Sequence, residues 1–247
     1  MKVLFFLLYG LVLTLTMARR GVWSAKAASL KPSGRKISRV LVIGATGGTG
    51  RELVQQALER GYEVTAFVRD PARLQVTDPK LKIVRGDVLD SAAVEAAVEG
   101  QDAVLSALGH RRLWVPSHVQ AEGIRNVIAA MKKKGVRRLV CVTALGLGNS
   151  AGRMGIIGTF FALPVALPIY FWDKSRQEQL IGASDLEWVI VRPGVLTNGA
   201  KRGRYQHGVH VGSYIWPTWS SRADVADFML AQLTDDQYLQ TAPGMIW

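Results

Sequence analysis

The chain has 247 residues, 49% of them hydrophobic, which is enough for one large domain or two small ones with a full core and excludes a disordered chain. Its formal charge of +12 does not make it a nucleic-acid binder. Eight of the Lys and Arg residues precede Val40, the first acid is Glu52, and removing that segment leaves 12 − 8 = +4, an ordinary surface excess. A single cysteine, Cys141 in the apolar run LVCVTAL, excludes a disulfide framework and reads as a buried inert thiol, and no His and Cys spacing suggests a metal.

From the N-terminus, Lys2 precedes sixteen uncharged and mostly apolar residues, VLFFLLYGLVLTLTMA, a run short for a membrane span and suited to the core of a signal peptide. SAKA at 24–27 then offers cleavage after Ala27. The stretch RRGVWSAKAASLKPSGRKISR is rich in Arg, Lys and Ser and has no acid, the composition of a transit peptide. Together the two layers resemble bipartite targeting to a plastid of secondary origin. The alternative keeps the apolar run as an uncleaved anchor, with Arg19 and Arg20 holding the domain on the cytoplasmic side by the positive-inside rule. Residues 1–36 are therefore set aside as a leader or anchor, and a single domain is expected over 37–247.

RVLVIG is a continuous apolar strand ending in glycine, as a parallel strand covered on both faces should be. GRELVQQALERG is a helix with Leu53, Val54, Ala57 and Leu58 on one stripe and Gly61 closing it. EVTAFVRD and LKIVRGDV are the second and third strands, DSAAVEAAVEG a helix capped by Asp90, and DAVLSALG the fourth strand. VQAEGIRNVIAAMKKKG is a helix with lysines in its last turn, and RRLVCVTA the fifth strand. KSRQEQLIGAS, LEWVIVRPG and RADVADFMLAQL continue the alternation. The pattern means an α/β domain with a doubly wound parallel sheet and right-handed crossovers.

GATGGTG joins the first strand to the first helix, with Gly44, Gly47 and Gly50 at three-residue spacing and Thr46, Gly48 and Thr49 filling the loop. Such a loop needs glycine so that the backbone reaches a pyrophosphate and the helix N-terminus presents free N–H groups to it. The order strand, loop, helix, strand completes a dinucleotide-binding unit. At the end of the second strand, FVRDPARL places Arg69 and Arg73 where a ribose-binding carboxylate would favour NAD, so the two guanidinium groups favour NADP(H). Asp70 complicates that choice unless, standing before Pro71, it caps a short helix.

These motifs, together with GDVLDSAAVEAAVEGQDAVLSALG and EWVIVRPGVLTNG, resemble the atypical short-chain dehydrogenase/reductases, in particular the branch of biliverdin-IXβ reductase/flavin reductase, from about Arg39 to Met245. The resemblance implies a Rossmann-like fold, with Asp87 and Val88 beside the adenine, Ala107, Leu108 and Gly109 along the ribose and nicotinamide, and Pro193 to Val195 near the nicotinamide ring. Carbonyl-reducing members of the wider superfamily use a Tyr and a Lys four residues apart and a Ser or Thr ending the fifth strand; here these are Tyr170, Lys174 and Thr143. That chemistry needs an acid for the developing alkoxide, a cation to lower the phenol's pKa, and a hydroxyl to orient the substrate. Tyr170, however, follows Thr143 by 27 residues, a longer interval than usual, and ends an uncharged run, so it reads equally as an aromatic at an apolar edge.

Met154 to Trp172 is nineteen residues without a charge, interrupted by Pro164 and Pro168. It reads as a flexible apolar lid over a planar or hydrophobic acceptor, with peripheral membrane contact as the alternative. His110, Arg111, Arg112 and Trp114 either contact acidic groups of the acceptor or form a solvated basic loop. The expected activity is NADPH-dependent transfer of hydride to a flavin, tetrapyrrole, quinone or carbonyl. The rival is a non-catalytic NADP(H)-sensing or assembly protein on the same fold.

Overall fold

The computed structural model describes residues 8–9, 11–12, 15–19, 34, 36–109, 118–161 and 168–247. The main elements run β1 (Arg39–Ile43), α1 (Gly48–Glu59), β2 (Glu63–Val68), β3 (Leu81–Arg85), α2 (Ser91–Val98), β4 (Ala103–Ser106), α3 (Val119–Lys134), β5 (Arg138–Val142), α4 (Pro168–Gly182) and β6 (Glu187–Pro193). Short strands β7 (Val195–Thr197), β8 (Gln206–Gly208) and β9 (Trp219–Ser221), helix α5 (Arg222–Ala231) and strand β10 (Gly244–Ile246) complete the chain. The main sheet has the order β3-β2-β1-β4-β5-β6-β10-β8, and β7 and β9 form a separate pair. Every pairing from β3 to β10 is parallel, and β8 alone runs antiparallel at the edge. This is the Rossmann-like architecture that the alternation of strands and helices predicts.

Strand pleating sorts the apolar runs into two layers, because successive side chains point to opposite faces. Val40, Val42, Leu105, Val140, Val142, Val189 and Val191 face α1 and α5, where Leu53, Val54, Val225 and Phe228 meet them. Leu41, Ile43, Val104, Leu139, Cys141, Trp188 and Ile190 face α2, α3 and α4, against Val94, Ile124, Val127 and Ile181. Local signals set the ends of the helices: Asp90 accepts from Ala92 N and Ala93 N at 3.0 and 3.2 Å to start α2, and Gly135 closes α3 at φ 70°. Since β1 lies between β2 and β4, the chain leaves it in both directions, and a crevice opens above the C-terminal strand ends, where such folds bind nucleotides.

Two expectations change. The polar helix read as beginning near Lys174 begins at Pro168, so Tyr170 lies inside it and the apolar lid ends there. Proline suits a first helical position, where its missing N–H is not needed. What is described of the lid before that point pairs with the segment around residues 213–215: Gly155 N donates to Ser213 O at 2.7 Å and Ile156 N to Ile215 O at 3.2 Å. Residues 162–167 lie outside the described residues. In the N-terminal segment set aside by the sequence, Met17 is buried against Leu147 and Phe171. No helix among the described residues is long and apolar enough to cross a membrane.

Candidate cofactor and active site

The glycine loop sits in the crevice between β1 and α1. Gly44 has φ +80°, a conformation that L side chains rarely adopt, and a Cβ there would lie 2.6 Å from Ala107 O. A Cβ on Gly50 would lie 2.0 Å from Gly44 O, so that glycine lets α1 close onto the loop. At Gly47 the nearest atom is Gly44 O at 3.2 Å, so the fold itself asks little of this position, which stands at the N-cap of α1 with no side-chain cap bond and no acid in the first turn. The first N–H groups of α1 are thereby left for an anion. Thr46 is half-buried at the loop and Thr49 is buried under it.

Arg69 is exposed at the end of β2, and Arg73 lies at the end of the 3₁₀ turn Pro71–Arg73. Asp70 accepts from Ala72 N at 3.2 Å and starts that turn. A third arginine, not singled out by the sequence, joins them: Arg51 of α1 donates to Arg73 O at 2.9 Å. Among the described residues none of these three guanidinium groups pairs with a carboxylate. Beyond β3, Asp87 accepts from Leu89 N at 3.0 Å in a tight turn. Val88 is buried, its carbonyl held by Asn126 Nδ2 at 3.0 Å.

At the opposite end of the crevice, Ala107, Leu108 and Gly109 continue from β4, with Ala107 N bonded to Ile43 O at 2.9 Å and Gly109 exposed. Lys174 is buried, and its ammonium donates to Leu108 O at 3.0 Å, Val142 O at 3.0 Å and Gln177 Oε1 at 3.1 Å. It therefore ties the ends of β4 and β5 together instead of projecting into the crevice. Its Nζ is 5.8 Å from the centre of the Tyr170 ring, which is half-buried and packs edge-on against Phe171. Thr143 is buried and donates its hydroxyl proton to Glu178 Oε1 at 2.7 Å. The role of an orienting hydroxyl needs that proton, so Thr143 reaches a substrate only as an acceptor. Pro193 is buried at the end of β6, and Val195, just past it, is 45% exposed at the mouth.

The sequence missed what lies behind these residues. Arg192 and Glu178 form a fully buried ion pair through two bonds, Nε to Oε1 at 2.9 Å and Nη2 to Oε2 at 2.6 Å. Arg192 Nη1 continues to Asn149 Oδ1 at 2.6 Å, and Asn149 Nδ2 to Val209 O at 3.2 Å. A charge inside LEWVIVRPG, a strand covered on both faces, was the available signal, since such a group requires a partner. Burial pushes the Cys141 thiol up to about 11, with the Lys174 charge acting in the opposite sense, as an inert cysteine requires. His110, Arg111, Arg112 and Trp114 lie outside the described residues.

With a doubly wound sheet, an uncapped glycine loop at its switch point and arginines at the adenosine corner, the class is a dinucleotide-binding oxidoreductase fold. The chain matches the NAD(P)H-binding family over residues 44–236 and belongs to that family, within the atypical short-chain dehydrogenase/reductases. It is 35% identical over 176 residues to an uncharacterised chloroplastic protein of Arabidopsis thaliana, a match covering 68% of this chain and 62% of the relative. It is 39% identical over 118 residues to cinnamoyl-CoA reductase 1 of Oryza sativa, covering 43% of this chain and 34% of that one. The chain thus spans less than two thirds of the length of these relatives. Among solved structures, the anaerobillin reductase ChuY of Escherichia coli O157:H7 is 25% identical with a TM-score of 0.68, covering 85% of this chain and 97% of that one. A short-chain dehydrogenase/reductase of Veillonella parvula in complex with NADP has a TM-score of 0.70 at 17% identity, over 85% and 94% of the two chains, a likeness of fold.

Proposed function

We propose that the protein is an NADPH-dependent reductase that passes hydride to a conjugated, largely apolar acceptor such as a flavin, tetrapyrrole or quinone. The observation that carries the cofactor choice is the corner formed by Arg51, Arg69 and Arg73, where the intervening carboxylate of Asp70 is engaged as a helix cap. Three guanidinium groups without carboxylate partners suit a 2′-phosphate through charge-assisted bonds. The acceptor end is apolar: Leu147, Met154, Tyr170 and Phe171 cluster beside the loop that follows β5. Reductase activity in a structural relative, ChuY, supports the same reading.

Bound NADPH would supply the hydride, and the chain's own residues hold the geometry. Lys174 fixes the carbonyls of Leu108 and Val142, and so positions the segment that the nicotinamide ribose would line. Glu178, one turn further along α4, fixes Thr143 at the end of β5 and Arg192 on β6. Tyr170 is the candidate proton donor. The same bonds favour a second reading: an enzyme of the tyrosine-dependent type would keep its Lys and Thr free for cofactor and substrate, so a non-catalytic NADP(H)-sensing or assembly role is the alternative.

A plastid location is part of the proposal, supported by the leader composition of residues 1–36 and by the chloroplastic relative. Peripheral membrane contact has its support in the exposed side chains of Ile156, Ile157 and Phe161 and of Tyr214, Ile215 and Trp216 on the facing segment.

Tyr170→Phe tests the acceptor class. A carbonyl develops a localised alkoxide, and loss of a positioned acid costs about 10²- to 10⁴-fold in rate. A flavin or tetrapyrrole spreads its charge and takes its proton from water, so the expected loss with such an acceptor is under about tenfold. A loss beyond about a hundredfold on the best acceptor, measured as initial rates of NADPH consumption, would instead make the protein a tyrosine-dependent carbonyl reductase.

A further inference from the structure

Arg222, the first residue of α5, is half-buried, and among the described residues no carboxylate pairs with it; its Nη1 donates to Asn198 Oδ1 at 2.6 Å. α5 lies beside α1, with Gln56 Nε2 bonded to Ala223 O at 2.9 Å and Arg60 paired with Asp227 at 2.6 Å. Helical side chains lean toward the N-terminus of their own helix. Arg222 accordingly reaches back along α1 to its first residue. A Cβ built on Gly48 would lie 2.4 Å from Arg222 Cδ, 2.6 Å from Nε and 3.5 Å from Cζ.

That contact brings two positive groups together. The start of α1 carries the partial charge of uncapped N–H groups, with no acid in its first turn. Against it lies a full guanidinium charge, at the loop where a dinucleotide pyrophosphate would sit. The 2′-phosphate corner of Arg69 and Arg73 is elsewhere, at the far end of β2. Gly48 is exposed and helical, and the three atoms nearest its Cβ would all belong to Arg222.

We propose that Arg222 is a pyrophosphate clamp, and that position 48 is glycine in order to admit this arginine and not the cofactor. The proposal rests on dinucleotide binding, not on the acceptor or on the preference for NADPH. It makes Arg222 a binding residue contributed from about 170 positions beyond the glycine loop.

The test is a double-mutant cycle on the full chain, with NADPH and NADH titrated into wild type, Arg222→Met, Gly48→Ala and the double variant. Arg222→Met is expected to weaken both dinucleotides equally, by about tenfold or more, the scale of one charge-assisted hydrogen bond. Gly48→Ala is expected to weaken both by a similar factor in wild type and by nothing further in the Arg222→Met background. Unchanged affinity of Arg222→Met for both dinucleotides overturns the clamp. Loss for NADPH alone moves the contact to the 2′-phosphate and overturns it as well. An added loss from Gly48→Ala on top of Arg222→Met overturns the reading of the glycine. Should Gly48→Ala fail to fold, the Arg222→Met titrations still decide. Wild type that binds neither dinucleotide would defeat the cofactor reading itself, a different failure.

Discussion

Replacing Arg192 by leucine is expected to lower the free energy of unfolding by about 3–5 kcal/mol, a large part of the about 5–15 kcal/mol that holds a typical domain together. The change removes both bonds of the ion pair and leaves the Glu178 charge fully buried without its guanidinium, while the Thr143 hydroxyl still donates to it at 2.7 Å. Glu178→Leu likewise removes the carboxylate from a buried arginine that keeps its bond to Asn149, and should cost a similar amount. Replacing both removes the buried charge altogether, so the double variant should recover most of the loss, because a buried ion pair contributes little over an apolar pair of like volume. Denaturant titration of the four proteins checks this. A single-variant loss under about 0.5 kcal/mol, the range of an ordinary surface change, would contradict the account of the network. Cofactor affinity should fall with stability in the single variants, since Glu178 and Lys174 sit one turn apart on the same helix and brace the same strand ends.

Gly50→Ala is the second large effect. The three atoms nearest its Cβ would all be backbone, Gly44 O at 2.0 Å, Gly44 C at 2.7 Å and Ala45 Cα at 2.8 Å, and no rotamer change can relieve that. Either α1 lifts from β1 or the loop opens, and both destroy the pyrophosphate site. The expected result is a destabilised protein with no measurable dinucleotide binding. Gly47→Ala is the control, because its nearest contact is a single carbonyl at 3.2 Å. It should stay folded while NADPH binding weakens by at least about tenfold, or 1.4 kcal/mol, since the new methyl group faces the ligand. Normal stability and normal NADPH affinity in Gly50→Ala would contradict the placement of the site.

The strands, the glycine loop and the caps were legible because they are local: apolar runs of four to six residues, a glycine spacing, an aspartate before a helix. Asp70 is the clearest case, since its position before Pro71 was enough to anticipate the cap that Ala72 N completes. The start of α4 was not legible, because PIYFW carries no polar face from which a helical period could be read. Lys174 and Thr143 were found as residues, but not in their bonding. The carbonyls of Leu108 and Val142 that hold the lysine come from two other strand ends, and no spacing along the chain encodes their approach. Arg192 was passed over although it is a charge in an apolar strand, and its partner lies fourteen residues earlier on a helix. The contact of Arg222 with Gly48 depends on how α5 packs on α1, which only the folded chain reveals.

Hydride transfer itself is the most direct test of the proposed reductase. The full chain should be mixed with NADPH or NADH and, in turn, a flavin, a tetrapyrrole, a quinone and an aldehyde, with nicotinamide oxidation followed by absorbance and acceptor reduction measured alongside. The predicted result is oxidation that depends on a conjugated acceptor, one acceptor reduced per two-electron oxidation, with kcat/KM for NADPH at least about tenfold above NADH. Tight NADPH binding with no acceptor-dependent oxidation, or equal use of the two dinucleotides, would contradict it.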